Sequence, residues 1–329
     1  MITNGSFVPR AGKSQPFIVA NDPNQPPEGL AGGVFAIGNF DGVHRGHSAV
    51  IERTQKLARE LDAPGAVLTF EPHPADFFSG KSVVFRLTPK AEKIEALREL
   101  GLDGAVFLTF NAPLAALTAE DFVRLVLVER LNVRAVVVGW DFHFGKGRGG
   151  SPAFLQEAGP RYGFAVDVID KVVASDEAIS STAVRRALEA GDVAAAARLL
   201  GRDYAVIGQV IPGQKLGRTL GTPTANISLE ATNRLAFGIY AVRVSVDGVT
   251  YDGVASFGAR PTVADQGSPL LEVYLFDFEA DLYGRTIKVA FIERLRGEEK
   301  FAGLPELIAA MEHDKAAARR VLAARVVLE

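Results

Sequence analysis

The sequence contains no cysteine. Disulfides, thiolate metal sites and cysteine nucleophiles are therefore excluded, and the chain suits a reducing compartment. Long apolar runs are missing too. No stretch approaches the ~18 consecutive apolar residues of a membrane span, and the opening MITNGSFVPRAGKSQPF lacks the unbroken apolar segment of a signal peptide. The expected location is the cytoplasm, with no membrane partner. Excess basic charge is also absent: 36 Lys and Arg stand against 39 Asp and Glu, for a net charge of -3 and a pI near 6.0. Such a surface is poorly matched to a polyphosphate backbone, which removes nucleic acid from the expected partners and leaves small anions.

What is present fits two folded domains. The 329 residues exceed one ordinary domain, and 48% apolar with 23% charged residues is globular composition. Residues 1–33 read as an irregular lead-in, because Asn21 to Gly33 (NDPNQPPEGLAGG) is rich in Pro, Gly and Asn; regular structure is expected from Val34. Residues 34–188 alternate short apolar runs with stretches of helical spacing. The runs are VFAIG (34–38), AVLTF (66–70), AVFLTF (105–110), RAVVVG (134–139) and FAVDVI (164–169). Between them come Val50, Leu57 and Leu61, then Ile94, Leu97 and Leu100, then Phe122, Leu125 and Val126. This alternation predicts a doubly wound, Rossmann-like α/β domain with a parallel sheet, whose ligands gather at the carboxyl ends of the strands. An alanine-rich linker helix is expected within 189–203. Residues 204–329 are long β runs with turn signals at Asp247-Gly248 and Tyr283-Gly284, which predicts a small antiparallel β-barrel. Leu304, Leu307, Ile308 and Met311 predict a closing C-terminal helix.

The stretch GNFDGVHRGHSAV (38–50) stands at the end of the first apolar run. Gly38, Gly42 and Gly46 let the backbone turn sharply, and a helix opening near Gly46 offers N–H groups to an anion. A helix N-terminus contributes only about 0.3–2 kcal/mol, so side-chain donors would have to add to it. His44 and His47, two of five histidines, are placed to do so. Three readings compete. Both imidazoles can stabilise charge on a phosphoryl group, they can bind a metal, or they can merely cap the helix. Spacing of three, no intervening Glu and no third ligand nearby weigh against the metal.

Other stretches carry similar chemistry. In ISSTAVRRAL (179–188), Ser180 or Ser181 can N-cap a helix, while Thr182 and Arg185 share a face and offer donors for a triphosphate; the plain alternative is a capped surface helix. GWDFHFGKGRGG (139–150) follows an apolar run and reads as a loop facing phosphate or a ring. In GQKLGRTLGTPTANI (213–227), Gly213, Lys215, Gly217, Arg218 and Gly221 make a basic, flexible loop, and Pro223 fixes the chain behind it. Thr224 and Asn226 then share one face of extended chain and can hold hydrated magnesium with its nucleotide, or else form an ordinary Asn/Thr turn. By alternation Glu272 shares a face with Tyr274 and Phe276, opposite Leu271, Val273 and Leu275. A carboxylate there suits a general base for a hydroxyl, against the alternative of a solvated edge residue.

GNFDGVHRGH resembles the HxGH signature of the nucleotidyltransferase superfamily, whose histidines meet ATP at the reacting α-phosphate. Together with FEPHP (70–74), RLTPKAEK (86–93), GWDFHFGKGRGG and ISSTAVRRAL, it is similar to the FMN adenylyltransferase module of prokaryotic bifunctional riboflavin kinase/FAD synthetases. PTAN (223–226), GARPT (258–262), LEVYLFDF (271–278), DLYG (281–284) and LRGEEKF (295–301) resemble, in order, the riboflavin kinase half of the same family. The resemblance implies phosphorylation of riboflavin by ATP in the C-terminal domain and transfer of AMP from a second ATP to FMN in the N-terminal one, with release of pyrophosphate.

It also implies site residues. His44 and His47 would act at the α-phosphate, with Gly38, Asn39, Phe40, Asp41, Gly46, Ser180, Ser181, Thr182 and Arg185 around that ATP. Pro72, Asp141 and Phe142 would lie beside the flavin. Glu272 would be the kinase base, and Gly213, Lys215, Gly217, Arg218, Gly221, Pro223, Thr224 and Asn226 would surround the other ATP, with Mg2+ on Thr224 and Asn226. The implied ligands are riboflavin, FMN, FAD and ATP, and self-association stays open. Departures from the family's pattern are His143 where Arg is common, Thr222 in place of an aromatic, Phe257 within a usual Asn-Ile-Gly, and Ala236 where Pro is common. Two rival readings stand beside this one: a nucleotidyltransferase acting on another small phosphate such as pantetheine phosphate, and a barrel that binds flavin only to regulate.

Overall fold

The computed structural model describes residues 16–174, 177–213, 222–259 and 269–325. The expected loop residues Lys215, Gly217, Arg218 and Gly221, and most of GARPT, lie outside them. The chain divides into two compact units. One ends at Ala178, and the other combines Phe85–Leu87 with the chain from Ile179 onward.

In the first unit, β1 (Ile18–Asn21), β2 (Val34–Ile37), β3 (Gly65–Glu71), β4 (Gly104–Thr109), β5 (Ala135–Gly139) and β6 (Ala165–Ile169) form a parallel sheet in the order β1-β4-β3-β2-β5-β6. Alternate residues of each strand feed opposite cores. Phe35, Leu68, Val106 and Val136 pack with Phe122, Val123 and Leu127 on one side. Val34, Val67, Ala105 and Val137 pack on the other with Ile51 of helix α1 (Arg45–Glu60) and Leu97 of a later helix, Lys90–Glu99. Burial on both faces is why these strands read as unbroken apolar runs. Between these two helices lies α2 (Pro74–Ser79), which makes Lys90–Glu99 α3. Further on come α4 (Ala112–Ala116), α5 (Ala119–Asp121) and α6 (Pro152–Tyr162), and the two-residue strands β7 (Val173–Ala174) and β8 (Glu177–Ala178). The expected helix around Phe122, Leu125 and Val126 exists, but Phe122–Arg130 is wound wide, with the Leu131 N–H reaching back to the Val126 carbonyl.

The lead-in needs correcting. Regular structure begins before Val34, because β1 adds a parallel edge to β4, with Ile18 opposite Gly104, and Leu30 is fully buried. A four-residue strand ahead of Asp22-Pro23 is too short to show periodicity, and its partner is distant in sequence.

In the second unit, α7 (Ser181–Glu189) packs on α8 (Val193–Leu200), and the Leu188 carbonyl accepts from the Ala236 N–H at 3.0 Å. The ISST helix therefore groups with the barrel side of the chain, and the first unit stops short of residue 188. The strands β9 (Tyr204–Gln209), β10 (Ala225–Ser228), β11 (Gly238–Val246), β12 (Val249–Ala259), β13 (Pro269–Leu275) and β14 (Thr286–Arg296) form an antiparallel sheet in the order β10-β13-β12-β11-β14-β9. Asp247 and Gly248 both take positive φ, +48° and +82°, as the β11–β12 hairpin turn requires. The sheet curls until its ends meet, where the Ile211 N–H donates to the Asn226 carbonyl at 2.9 Å. Helix α9 (Leu304–Ala324) packs on β11, β12 and β14. Its buried residues are Asp314, Ala318 and Leu322, whereas Leu304 and Ile308 of the expected apolar stripe are exposed.

Candidate active sites

The chain moves outward from β2 through β3 to β4 and then returns to β5 beside β2, so the sheet's order reverses there. Crevices at such a reversal receive ligands at the carboxyl ends of the strands. GNFDGVHRGH follows β2 and GWDFHFGKGRGG follows β5, which brings both to that edge.

The first turn is held by polar groups that are almost completely buried. Phe40, Gly42 and Val43 take left-handed φ of +48°, +88° and +42°, a costly conformation for two residues with side chains. Asp41 accepts from the Thr88 N–H at 3.0 Å, and the Gly42 N–H donates to Thr88 Oγ1 at 2.9 Å. The Asn39 carbonyl accepts from Lys93 Nζ at 2.7 Å and from Thr69 Oγ1 at 3.1 Å. Thr88 and Lys93 belong to RLTPKAEK, so that stretch braces the turn. The Asp41 carboxylate is thus committed to the brace, and Phe40 packs in the core, so only backbone of these two residues is presented to a ligand.

His44 is the N-cap of α1, its Nδ1 accepting from the His47 N–H at 3.3 Å. A ring that accepts at Nδ1 carries its proton on Nε2 and can donate there. The two imidazoles stack, with centroids 3.7 Å apart and planes at 13°, and Phe40 lies against His47 at 5.1 Å. Capping through Nδ1 and donation from Nε2 are therefore compatible in the same ring. Gly46 lies in the first helical turn, where backbone N–H groups point out of the helix end.

Beside FEPHP, the His73 ring caps α2 through the Ala75 N–H at 3.2 Å. Phe77 and Phe78 of α2 meet Phe110 edge to face at 5.4 and 5.6 Å, and Phe78 is 71% exposed. This aromatic group next to exposed Pro72 was not singled out from the sequence; its signal was the Phe77-Phe78 pair just past FEPHP. In the loop after β5, Asp141 is exposed, Phe142 stacks on Phe144 at 5.5 Å, and His143 Nδ1 lies 2.8 Å from the Asp141 carbonyl. A Cβ at Gly150 would come within 2.5 Å of the Phe144 ring, so this loop closes only with glycine there.

In the second unit, Ser180 caps α7 by accepting from the Ala183 N–H at 3.2 Å. Ser181 opens the helix, Thr182 is exposed, and Arg185 Nε donates to the Phe85 carbonyl at 2.8 Å. The barrel and α9 line an open cavity of about 810 Å³. Across its wall Asn226 lies opposite Glu272, and Glu272 opposite Ser256, so an amide, a carboxylate and a hydroxyl form one row over three strands. Ser256 is an addition that strand register alone supplies. Asn226 Nδ2 donates to the Thr224 carbonyl at 3.2 Å, and a Cβ at Gly213 would stand 2.4 Å from that amide. Pro223 and Thr224 line the same wall. Over the cavity, α9 is pinned by a two-point ion pair from Arg296 to the buried Asp314, at 2.9 and 2.7 Å, which pushes the guanidinium pKa up.

Among the described residues no three His, Cys, Asp or Glu side chains gather as a metal site. Thr224 and Asn226 instead offer neutral oxygens, the donor type suited to a magnesium ion that arrives on nucleotide phosphates.

Two unlike folds, each with its own group of polar side chains, fit a transferase with two activities. A family model described as FAD synthetase matches residues 27–183, and one described as riboflavin kinase matches residues 200–322. The bifunctional riboflavin kinase/FMN adenylyltransferase of Pseudomonas fluorescens is 46% identical over 292 residues, covering 89% of this chain and 94% of that protein. That of Escherichia coli K12 is 43% identical over 289 residues, covering 88% and 92%. The crystal structure of a macrolide-efflux protein from Streptococcus pneumoniae superposes with a TM-score of 0.81 at 29% identity, over 92% of this chain and 99% of that one. No helix among the described residues is long and apolar enough to cross a membrane. The chain belongs to the bacterial bifunctional riboflavin kinase/FMN adenylyltransferases. It phosphorylates riboflavin to FMN and adenylylates FMN to FAD.

Proposed function

We propose that the turn after β2 carries the adenylyl transfer and the barrel cavity carries the phosphorylation. The observation that supports this division most strongly is the Asn226–Glu272–Ser256 row, which sets a carboxylate between an amide and a hydroxyl on the wall of the barrel cavity, far in sequence from the histidine turn.

In the barrel, the riboflavin 5'-hydroxyl attacks the γ-phosphorus of ATP. The O–P bond to ADP breaks with its electron pair leaving on ADP, and the hydroxyl proton passes to Glu272. Thr224 and Asn226 hold the magnesium nucleotide, and magnesium when bound neutralises charge on the phosphates. Gly213, Pro223 and, from the same sequence stretch, Lys215, Gly217, Arg218 and Gly221 complete the nucleotide contacts. The flavin ring lies against Leu307 and Met311 of α9, which are half-buried and line the cavity.

At the turn, an FMN phosphate oxygen attacks the α-phosphorus of ATP, and the bond to pyrophosphate breaks. His44 and His47 donate to the α-phosphoryl oxygens as charge builds, with Gly38, Asn39, Gly46 and the backbone of Phe40 and Asp41 around them. Pro72, the Phe77–Phe78–Phe110 group, Asp141 and Phe142 receive the flavin. Ser180, Ser181, Thr182 and Arg185 are assigned to the ATP of this reaction. The enzyme works in the cytoplasm, on riboflavin, FMN and ATP, without membrane or nucleic acid.

The test is to supply the purified chain with ATP and riboflavin, FMN or pantetheine phosphate in turn and to separate the products. Flavin products alone are expected. Adenylylated pantetheine phosphate would favour the first rival, and absence of FMN formation would favour a regulatory barrel.

A further inference from the structure

Lys315 has no part in the chemistry above, yet it lines the kinase cavity. It continues the Leu307–Met311 row of α9 at helical spacing of four, so it ends the apolar stripe assigned to the flavin ring. Its ammonium donates to Thr222 Oγ1 at 2.9 Å and to Glu312 at 2.7 Å, and stands 5.0 Å from the centre of the Tyr274 ring. Its side chain is 17% exposed. A lysine has three N–H donors, and these contacts use two.

We infer that Lys315 is a specificity-determining residue for riboflavin, donating its third N–H to a carbonyl oxygen on the polar edge of the flavin ring. Two observations favour a neutral carbonyl over a phosphate. The Glu312 carboxylate already compensates the lysine charge, whereas a phosphate calls for uncompensated cations. The neighbours within the cavity are also a ring and an apolar row, Tyr274, Leu307 and Met311, which suits the flat body of a flavin rather than a triphosphate. The inference rests on the placement of riboflavin in this cavity.

The test uses the full-length enzyme and compares Lys315→Met, Thr222→Val and Met311→Trp by initial rates of riboflavin phosphorylation. Lys315→Met removes a charged donor while keeping the stem, and should raise the riboflavin KM by about tenfold with kcat and the ATP KM within about threefold. Infrared difference spectra of bound riboflavin should show its carbonyl band displaced in that variant. Thr222→Val cuts the Lys315–Thr222 bond but keeps the ammonium, and should leave the riboflavin KM near wild type. The assignment is overturned if Thr222→Val reproduces the Lys315→Met effect, if the ATP KM rises equally, or if the carbonyl band does not move. Met311→Trp fills the cavity and should abolish phosphorylation whatever Lys315 does. If that variant phosphorylates riboflavin normally, the placement of the flavin itself fails. If it is inactive while Lys315→Met is indistinguishable from wild type, only the role of Lys315 is lost.

Discussion

In the proposed division the turn after β2 and the cavity of the barrel each take a phosphate, and the two are built for it by opposite means. The turn presents main-chain N–H groups and two stacked imidazoles at an open sheet edge, and its shape is maintained from behind by Asp41, Thr88 and Lys93. The barrel presents side chains inward from adjacent strands, so the positions of Asn226, Glu272 and Ser256 follow from strand register. A site of the first kind is tuned by its brace, one of the second kind by pairing and by the helix laid over it. Substitutions in each should therefore fail in different ways.

The largest expected effect is in the barrel. Glu272→Gln keeps the shape but cannot take a proton, and should slow FMN formation by about a thousandfold while FAD is still made from supplied FMN; product analysis with each flavin checks this. His47→Ala should cost about 100 to 1,000-fold in FAD formation, the loss of a well-placed donor, with FMN formation unchanged. Arg185→Ala should follow His47→Ala, and a loss of FMN formation instead would move that helix to the kinase reaction. Asp314→Ala leaves Arg296 without its buried partner and should lower stability by about 3 kcal/mol. Thermal unfolding would show it, together with a riboflavin KM that rises more than the ATP KM. The smallest effect belongs to the brace. Asp41→Asn weakens the bonds from Thr88, and should reduce FAD formation by about tenfold without touching riboflavin phosphorylation. An Asp41→Asn enzyme with wild-type FAD formation would mean that the turn holds its shape without that carboxylate.

Much of this was legible in the residues. Strands buried on both faces announce themselves as apolar runs, and the glycine-rich turn with two histidines was placed at the carboxyl end of one of them, where it follows β2. What stayed hidden depends on distant pairing. β1 is four residues long and is recognisable only beside β4. Ser256 joins the row only through register with Glu272. RLTPKAEK was matched by resemblance, but its physical task, bracing Asn39 and Asp41, required the fold to bring Thr88 and Lys93 to the turn. Leu304, Leu307, Ile308 and Met311 predicted the closing helix α9, but helical spacing alone did not show that it packs through Asp314, Ala318 and Leu322. The ISST helix followed the first domain in sequence but groups with the second unit, because its last turn is tied to Ala236 and its buried side to α8.

The central claim is that each reaction has its own site. The most direct measurement takes Glu272→Gln and His47→Ala as full-length, folded proteins and follows both reactions in each. Reciprocal loss is predicted, FMN formation alone in the first and FAD formation alone in the second. Both activities falling together in either folded variant would contradict it.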